Sequence, residues 1–121
     1  MNTVMVVEDS VTQREMISNL LKESGLRVTV ASDGVEALEQ VQQHSPALVV
    51  LDIVMPRMNG YELCRRLKSD PKTQNIAIVM CSSKGEEFDR YWGMKQGADA
   101  YIAKPFQPTE LVSTVKQLLR G

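Results

Sequence analysis

The sequence predicts an α/β fold in which a parallel sheet is covered by helices on both faces. Short valine-rich segments at residues 4–7, 47–51 and 76–81 lack polar alternation, which is typical of strands buried on both sides. Amphipathic segments separate them, so that strand and helix alternate five times along the chain. Right-handed crossovers between parallel strands place helices on the faces of such a sheet.

The first half of the chain contains two strand–helix units. The strand at 4–7 leads into a helix that ends near Gly25, with an apolar stripe of Met16, Ile17, Leu20 and Leu21. A shorter strand, Arg27–Ala31, leads into a helix that ends before Pro46, with a stripe of Val35, Leu38 and Val41. The helical spacing predicts one buried face on each helix.

Three further units follow. The third helix is marked by Leu63, Cys64 and Leu67 and ends at Asp70-Pro71, and the fourth carries Phe88, Tyr91 and Trp92 and ends at Gly97. The last strand is Ala100–Ala103, and the final helix has a stripe of Leu111, Val112, Val115, Leu118 and Leu119. The spacing on the fourth helix predicts that Phe88 and at least one of Tyr91 and Trp92 pack on the core.

Length and composition exclude several classes of function. A chain of 121 residues with 43% hydrophobic content fits one domain, residues 1–121, and leaves no room for an output domain. A net charge of -1 gives no overall attraction to nucleic acid or anionic membrane. No apolar stretch approaches the roughly 20 residues that span a bilayer, and no charged leader follows Met1. We expect a cytoplasmic protein without direct nucleic-acid contact or membrane insertion.

Polar residues follow four of the predicted strands: Glu8-Asp9, Asp52, Ser82-Ser83 and Lys104-Pro105. Because the carboxyl ends of parallel strands meet at one edge, we expect these side chains to converge. Three clustered carboxylates repel one another unless a cation is present, and oxygen-only ligation suits Mg²⁺. A divalent ion, a lysine and a hydroxyl around one carboxylate are the parts needed for phosphoryl transfer to Asp52.

Three segments resemble the receiver domain of two-component response regulators. They are VVEDS at 6–10, LDIVMP at 51–56 followed by Asn59-Gly60, and GADAYIAKPF at 97–106. They occur in the order and approximate spacing of that family, and the resemblance covers the whole chain. It implies the flavodoxin-like receiver fold, a five-stranded parallel sheet of order 2-1-3-4-5 flanked by five helices.

The resemblance also implies the chemistry of the site. Asp52 is the expected phosphoacceptor and Asp9 a direct ligand of Mg²⁺ or Mn²⁺, together with Asp52 itself. Glu8 replaces an aspartate that is frequent at its position and is expected to bind the metal through a water molecule. The backbone carbonyl of Val54 is a further expected ligand. An apolar side chain at Val54 cannot orient an attacking water, which predicts slow hydrolysis of the phosphorylated site.

Other implied roles lie around the acceptor. Ser82 is expected to bond to the phosphoryl group and Lys104 to pair with it, and the Lys104-Pro105 peptide is a candidate for the cis form. Ser82 and Tyr101 are the expected switch residues. The expected output surface is the face made by the fourth helix, fifth strand and fifth helix, carrying Trp92, Tyr101 and Phe106.

These features predict a stand-alone response regulator, not a turnover enzyme, that is phosphorylated by a histidine kinase or phosphotransfer domain and binds a target protein. Residues 90–98 resemble single-domain regulators of chemosensory systems for twitching motility or phototaxis. The alternative is an adaptor that works without phosphorylation, which has no need of the acidic and lysine residues. A nucleotide-binding enzyme would need a phosphate loop where Glu8-Asp9 stands, and a DNA-binding regulator would need a helix-turn-helix segment.

Overall fold

The computed structural model describes residues 3–121 and contains one five-stranded sheet between two layers of helices. The strands are β1 (Thr3–Val7), β2 (Arg27–Ala31), β3 (Leu48–Leu51), β4 (Ala77–Ser82) and β5 (Ala100–Ala103). The helices are α1 (Val11–Glu23), α2 (Gly34–Gln43), α3 (Gly60–Ser69), α4 (Glu87–Lys95) and α5 (Pro108–Arg120). All strand pairs are parallel and the order is β2-β1-β3-β4-β5, as predicted.

The register of the sheet aligns the strand ends. Val7 in β1 is paired with Leu51 in β3, and Leu51 is paired with Met80 in β4. The backbone pairing continues one step past the strands, because Asp52 N donates to Val7 O at 3.1 Å and Lys104 N donates to Ser82 O at 2.8 Å. The residues that follow β1, β3, β4 and β5 therefore lie side by side at one edge.

The core has two parts, one on each face of the sheet. Successive residues of β1 point to opposite faces, so Met5 packs with α2 and α3 and Val6 with α1 and α5. Cys64 and Cys81 are buried free thiols, and burial raises the pKa of each to about 12. Within residues 3–121 no helix is long and apolar enough to cross a membrane.

The prediction for the fourth helix was wrong. Phe88, Tyr91 and Trp92 are 70%, 58% and 43% exposed, and the buried residue of α4 is Gly93. A Cβ at Gly93 would lie 2.7 Å from Met80 Sδ and 3.0 Å from a ring carbon of Tyr101. The helix thus rests on the sheet through its glycine, which turns the aromatic residues outward.

Gly60 is required where α3 begins beneath the loop that carries Asp52. Its N–H donates to Ile53 O at 2.8 Å, and an added Cβ would overlap the carbonyl oxygen of Asp52 and lie 2.9 Å from Ile53 Cα. Both neighbours are backbone atoms of the site loop, so neither can move aside without displacing it.

We predict that Gly60→Ala lowers the free energy of unfolding by about 1–3 kcal/mol, the range for overpacking a close contact. Urea unfolding of wild type and variant measures the loss. Gly85→Ala is the matched control, because the Cβ added there meets one side-chain atom, Ala103 Cβ at 3.1 Å, and no backbone atom. An equal or larger loss in Gly85→Ala would contradict this account of Gly60.

Candidate functional site

Three carboxylates meet at the carboxyl edge of β1 and β3. Glu8, Asp9 and Asp52 each offer an oxygen, and these oxygens all lie within 4.8 Å of one another. Glu8 is buried, Asp52 is partly buried and Asp9 is exposed. Like charges at this separation destabilise the metal-free protein, and a cation would relieve the repulsion. The cluster could hold a divalent metal ion through oxygen ligands.

Lys104 supplies the opposing charge, and its partner is Glu8. Lys104 Nζ donates to Glu8 Oε1 at 2.7 Å, and the two side chains are only 14% and 4% exposed. Burial opposes the charged ammonium, but the hydrogen bond to Glu8 and the negative charge of Asp52 outweigh it and raise the pKa of Lys104. Within residues 3–121, the side-chain hydrogen bond of Lys104 goes to Glu8 and not to Asp52.

Asp52 faces an open cavity of about 620 Å³. Its Oδ1 accepts a hydrogen bond from Ile53 N at 2.8 Å, which fixes the orientation of the carboxylate. Glu8, Asp9 and Lys104 line the polar side of the cavity, and its apolar wall includes Met16, Val54, Pro105, Phe106 and Pro108. A small molecule can therefore reach Asp52 from solvent while one of its carboxylate oxygens is held by the backbone.

The structure places the two serines after β4 differently. Ser82 is fully buried and its Oγ accepts from Lys84 N at 3.3 Å, whereas Ser83 lines the cavity. Sequence reasoning found the serine pair but selected only Ser82. The signal for Ser83 was its position beside Ser82 at the end of a strand.

Tyr101 lies inside the protein in this structure. It is 6% exposed, its hydroxyl donates to Lys84 O, and burial raises its pKa to about 12. Arg90 in α4 covers the ring at 5.4 Å and donates to Tyr101 O at 3.0 Å. Tyr101 therefore differs from its expected place on an exposed output surface, and it ties the loop after β4 to α4.

The other two residues of the expected output surface are separated. Trp92 is 43% exposed and stacks on Phe88, with ring centroids 6.4 Å apart. Phe106 instead packs at the margin of the core beneath α1 and α5 and lines the cavity beside Asp52. Phe106 thus belongs to the wall of the site. The Lys104-Pro105 peptide is cis, as predicted.

Sequence reasoning missed an ion pair that braces the loop after β3. Arg57, with a φ of 67°, donates to both carboxylate oxygens of Asp33 at 2.9 and 3.0 Å. The N–H of Glu36, chiefly, and the guanidinium of Arg57 lower the pKa of Asp33, although burial opposes this. The spacing of Asp33 and Glu36 was the one signal in the sequence, since it is typical of a helix N-cap. Nothing in the chain indicated Arg57 as the partner.

We predict opposite effects for two aspartate substitutions in metal-free protein. Asp52→Asn should be at least as stable as wild type, because it removes one of three repelling carboxylates and keeps an acceptor for Ile53 N. Asp33→Asn should lower the free energy of unfolding by about 0.5–1 kcal/mol, because Arg57 loses its charged partner. Urea unfolding in a chelator measures both, and a clear loss in Asp52→Asn would mean that Asp52 serves stability.

The chain is similar to proteins of known structure along its whole length. A protein of Chloroflexus aurantiacus J-10-fl assigned to the response regulators has a TM-score of 0.95 and 36% identity, covering 99% of this chain and 98% of that one. The chemotaxis response regulator CheY4 of Vibrio cholerae has a TM-score of 0.90 and 30% identity, covering 98% of each chain. Both superpose on the fold described above.

Curated relatives are longer. The phosphate regulon transcriptional regulatory protein PhoB of Escherichia coli strain K12 is 38% identical over 117 residues, which is 97% of this chain and 51% of PhoB. The chain spans about half the length of the curated relatives it matches. The family model of the response regulator receiver domain matches residues 4–116. The chain therefore belongs to the response regulator receiver domain family.

Proposed function

We propose that Asp52 accepts a phosphoryl group from a histidine kinase or phosphotransfer domain, with Mg²⁺ or Mn²⁺ bound beside it. The observation that carries this proposal is the charge balance at the sheet edge. Glu8, Asp9 and Asp52 face one ammonium, that of Lys104, and this leaves two formal negative charges in the site. One divalent cation would neutralise them and would also let an anionic phosphodonor approach.

Each residue of the site has a separate part in transfer of the phosphoryl group. Because Ile53 N holds Oδ1 of Asp52, Oδ2 is the oxygen that attacks phosphorus. The new bond joins Oδ2 to phosphorus, and the bond to the donor breaks with its electron pair leaving on the donor atom. Asp9, Asp52, the carbonyl of Val54 and Glu8 through water would hold the cation, which neutralises charge on the phosphoryl oxygens. Lys104 and Ser82 then contact the phosphorylated carboxylate.

The contacts of Tyr101 support a route from the site to a surface. Ser82 Oγ is bonded to Lys84 N, and the carbonyl of Lys84 accepts from the Tyr101 hydroxyl. A movement of Ser82 toward a phosphoryl group would therefore change the position of the Tyr101 ring beneath Arg90 and α4. We assign signal output to protein binding on the face made by α4, β5 and α5, where Trp92 and Phe88 are exposed.

We also propose a cellular location and a pathway for the chain. We assign the chain to the cytoplasm and to a chemotaxis-like motility pathway, which the likeness to CheY4 supports. In this role the receiver domain catalyses only its own phosphorylation and dephosphorylation, and its output is protein binding rather than direct contact with nucleic acid. Some curated relatives are named as DNA-binding regulators, and this chain spans about half of each. A phosphorylation-independent adaptor is the alternative, and the acidic cluster with Lys104 disfavours it.

Intact-mass measurement after incubation with Mg²⁺ and acetyl phosphate tests the acceptor. Wild type should gain one phosphoryl group and Asp52→Asn none, because the amide oxygen is a poor nucleophile. Asp33→Asn is the control and should be phosphorylated, since that carboxylate is engaged by Arg57 outside the cavity. A phosphoryl group gained by Asp52→Asn would refute the assignment of Asp52 as acceptor. A wild type that gains none would refute it as well.

We also predict that the phosphorylated protein hydrolyses slowly, because Val54 lines the cavity with an apolar side chain that cannot orient water. Val54→Asn should shorten the lifetime of the acyl phosphate severalfold by supplying a polar group for that water. Val54→Leu is the control and should leave the lifetime near that of wild type. A decay rate in Val54→Leu equal to that of Val54→Asn would show that polarity at this position is irrelevant.

A further inference from the structure

The loop that follows β3, residues 52–60, is closed at its base by backbone contacts. Ile53 N donates to Oδ1 of Asp52 at 2.8 Å, and Gly60 N donates across the loop to Ile53 O at 2.8 Å. The second bond brings the two ends of the loop together where α3 begins. The base of the loop is therefore fixed beside the acidic cluster.

The tip of the same loop is fixed at the N-terminus of α2. Nε and Nη2 of Arg57 donate to Oδ2 and Oδ1 of Asp33 at 2.9 and 3.0 Å. Asp33 is 6% exposed and also caps α2 by accepting from Glu36 N at 2.9 Å. The neighbouring Met58 is buried, and a Cβ added at Gly34 would lie 2.9 Å from its side chain. An ion pair and a packing contact thus tie the tip to α2.

Val54, Met55 and Pro56 lie between these two fixed points. Met55 is buried, whereas Val54 is 56% exposed and lines the cavity together with Asp52. Within residues 3–121 no backbone N–H donates to the carbonyl of Val54, which is the expected metal ligand. The placement of that carbonyl therefore depends on where the base and the tip of the loop hold the chain.

The backbone at Arg57 is strained. Its φ of 67° lies in the left-handed region, which is unfavourable for a residue with a Cβ. Met58 N donates to Pro56 O at 2.7 Å, so the chain makes a three-residue turn centred on Arg57. Strain of this kind persists only where surrounding contacts hold it, and it concentrates at functional sites. The contacts that hold it here are the ion pair with Asp33 and the packing of Met58.

We propose that Arg57 and Asp33 are positioning residues for the metal site: their ion pair holds the tip of the loop so that the carbonyl of Val54 is placed for the divalent cation. This inference rests on the proposed function, because it requires a cation bound beside Asp52. The pair lies outside the set of residues that line the cavity. It therefore acts on metal affinity through the backbone of the loop and not by contact with the ion.

Calorimetric titration of chelator-treated protein with Mg²⁺ tests the role of the pair, with Arg57→Ala as the first variant. This variant loses a positive charge, and that change alone would strengthen the binding of a cation. We expect weaker binding instead, with Kd raised about tenfold, the lower end of the range for groups that orient metal ligands. Tighter binding, or a Kd equal to that of wild type, would overturn the proposal.

Asp33→Asn and the double variant separate positioning from net charge. Asp33→Asn keeps an oxygen for Glu36 N, so the cap of α2 is retained while the charged partner of Arg57 is lost. The double variant loses one positive and one negative group, so its Kd should lie between the raised values of the two single variants. A double variant that binds Mg²⁺ as wild type does would show that charge alone had acted, and it would overturn the proposal.

Arg57→Gly separates positioning from stability. Glycine adopts a φ of 67° without strain, so the urea midpoint of metal-free Arg57→Gly should be at or above that of Arg57→Ala. Its Kd for Mg²⁺ should nevertheless be at least as high as that of Arg57→Ala, because the ion pair is lost and the loop is more flexible. A Kd near that of wild type in Arg57→Gly would mean that affinity follows stability, which contradicts a positioning role.

Arg66→Ala is the matched control. Arg66 pairs with Glu62 at 2.8 Å on the surface of α3, and its side chain is 55% exposed, against 57% for Arg57. Removal of the same charge from a similar ion pair should leave the Kd for Mg²⁺ near that of wild type. An increase equal to that in Arg57→Ala would show that the effect is not specific to the loop after β3, and the proposal would fail.

Failure of the proposed function gives a different result. If wild type binds no Mg²⁺, the metal site fails and the role of the pair fails with it. If wild type binds one ion and Arg57→Ala binds it equally well, only the role of the pair is overturned. At saturating Mg²⁺ every one of these variants should still gain one phosphoryl group from acetyl phosphate, because Asp52 is unchanged. A variant that gains none would place the defect at the acceptor and would also overturn the role of the pair.

Discussion

Mutual repulsion among Glu8, Asp9 and Asp52 is the constraint on which the rest of the site depends. The parallel sheet imposes it, because β1 and β3 are neighbours in register and their carboxyl ends lie side by side. A single ammonium, that of Lys104, offsets only part of the negative charge. The cluster could therefore hold a divalent cation, and its place at the sheet edge follows from the fold rather than from a dedicated loop.

The surroundings of the cluster hold it in place against this repulsion. Ile53 N fixes one oxygen of Asp52, and Arg57 clamps the loop after β3 onto the N-cap of α2 through Asp33. On the other side, Tyr101 connects the loop after β4 to α4, and Gly93 lets that helix lie directly on the Tyr101 ring. The loop after β4, at the same sheet edge, is thereby connected to a surface helix.

Much of this could be predicted from the sequence, because apolar runs define buried strands and parallel strands bring their ends together. The acidic cluster and the cis peptide before Pro105 followed from that pattern and from the family resemblance. The outward aromatic face of α4 could not be predicted in the same way. Hydrophobic spacing assumes that large apolar residues face the core, and here the contact is made by Gly93, which has no side chain.

The sequence also did not indicate which charged side chains pair with each other. Glu8 and Lys104 are 96 residues apart, and the acidic cluster contains three carboxylates that could pair with Lys104. Only the geometry shows that Glu8 is the partner. The pairing of Arg57 with Asp33 depends on a left-handed backbone conformation at an arginine, which no residue pattern indicates.

Calorimetric titration of the chelator-treated protein with Mg²⁺ tests the central claim most directly. The charge balance at the sheet edge predicts one ion bound per chain, and Asp9→Asn should remove that binding because Asp9 is the exposed carboxylate of the cluster. Absence of binding in wild type, or equal binding in wild type and Asp9→Asn, would contradict the view that these carboxylates form a metal site.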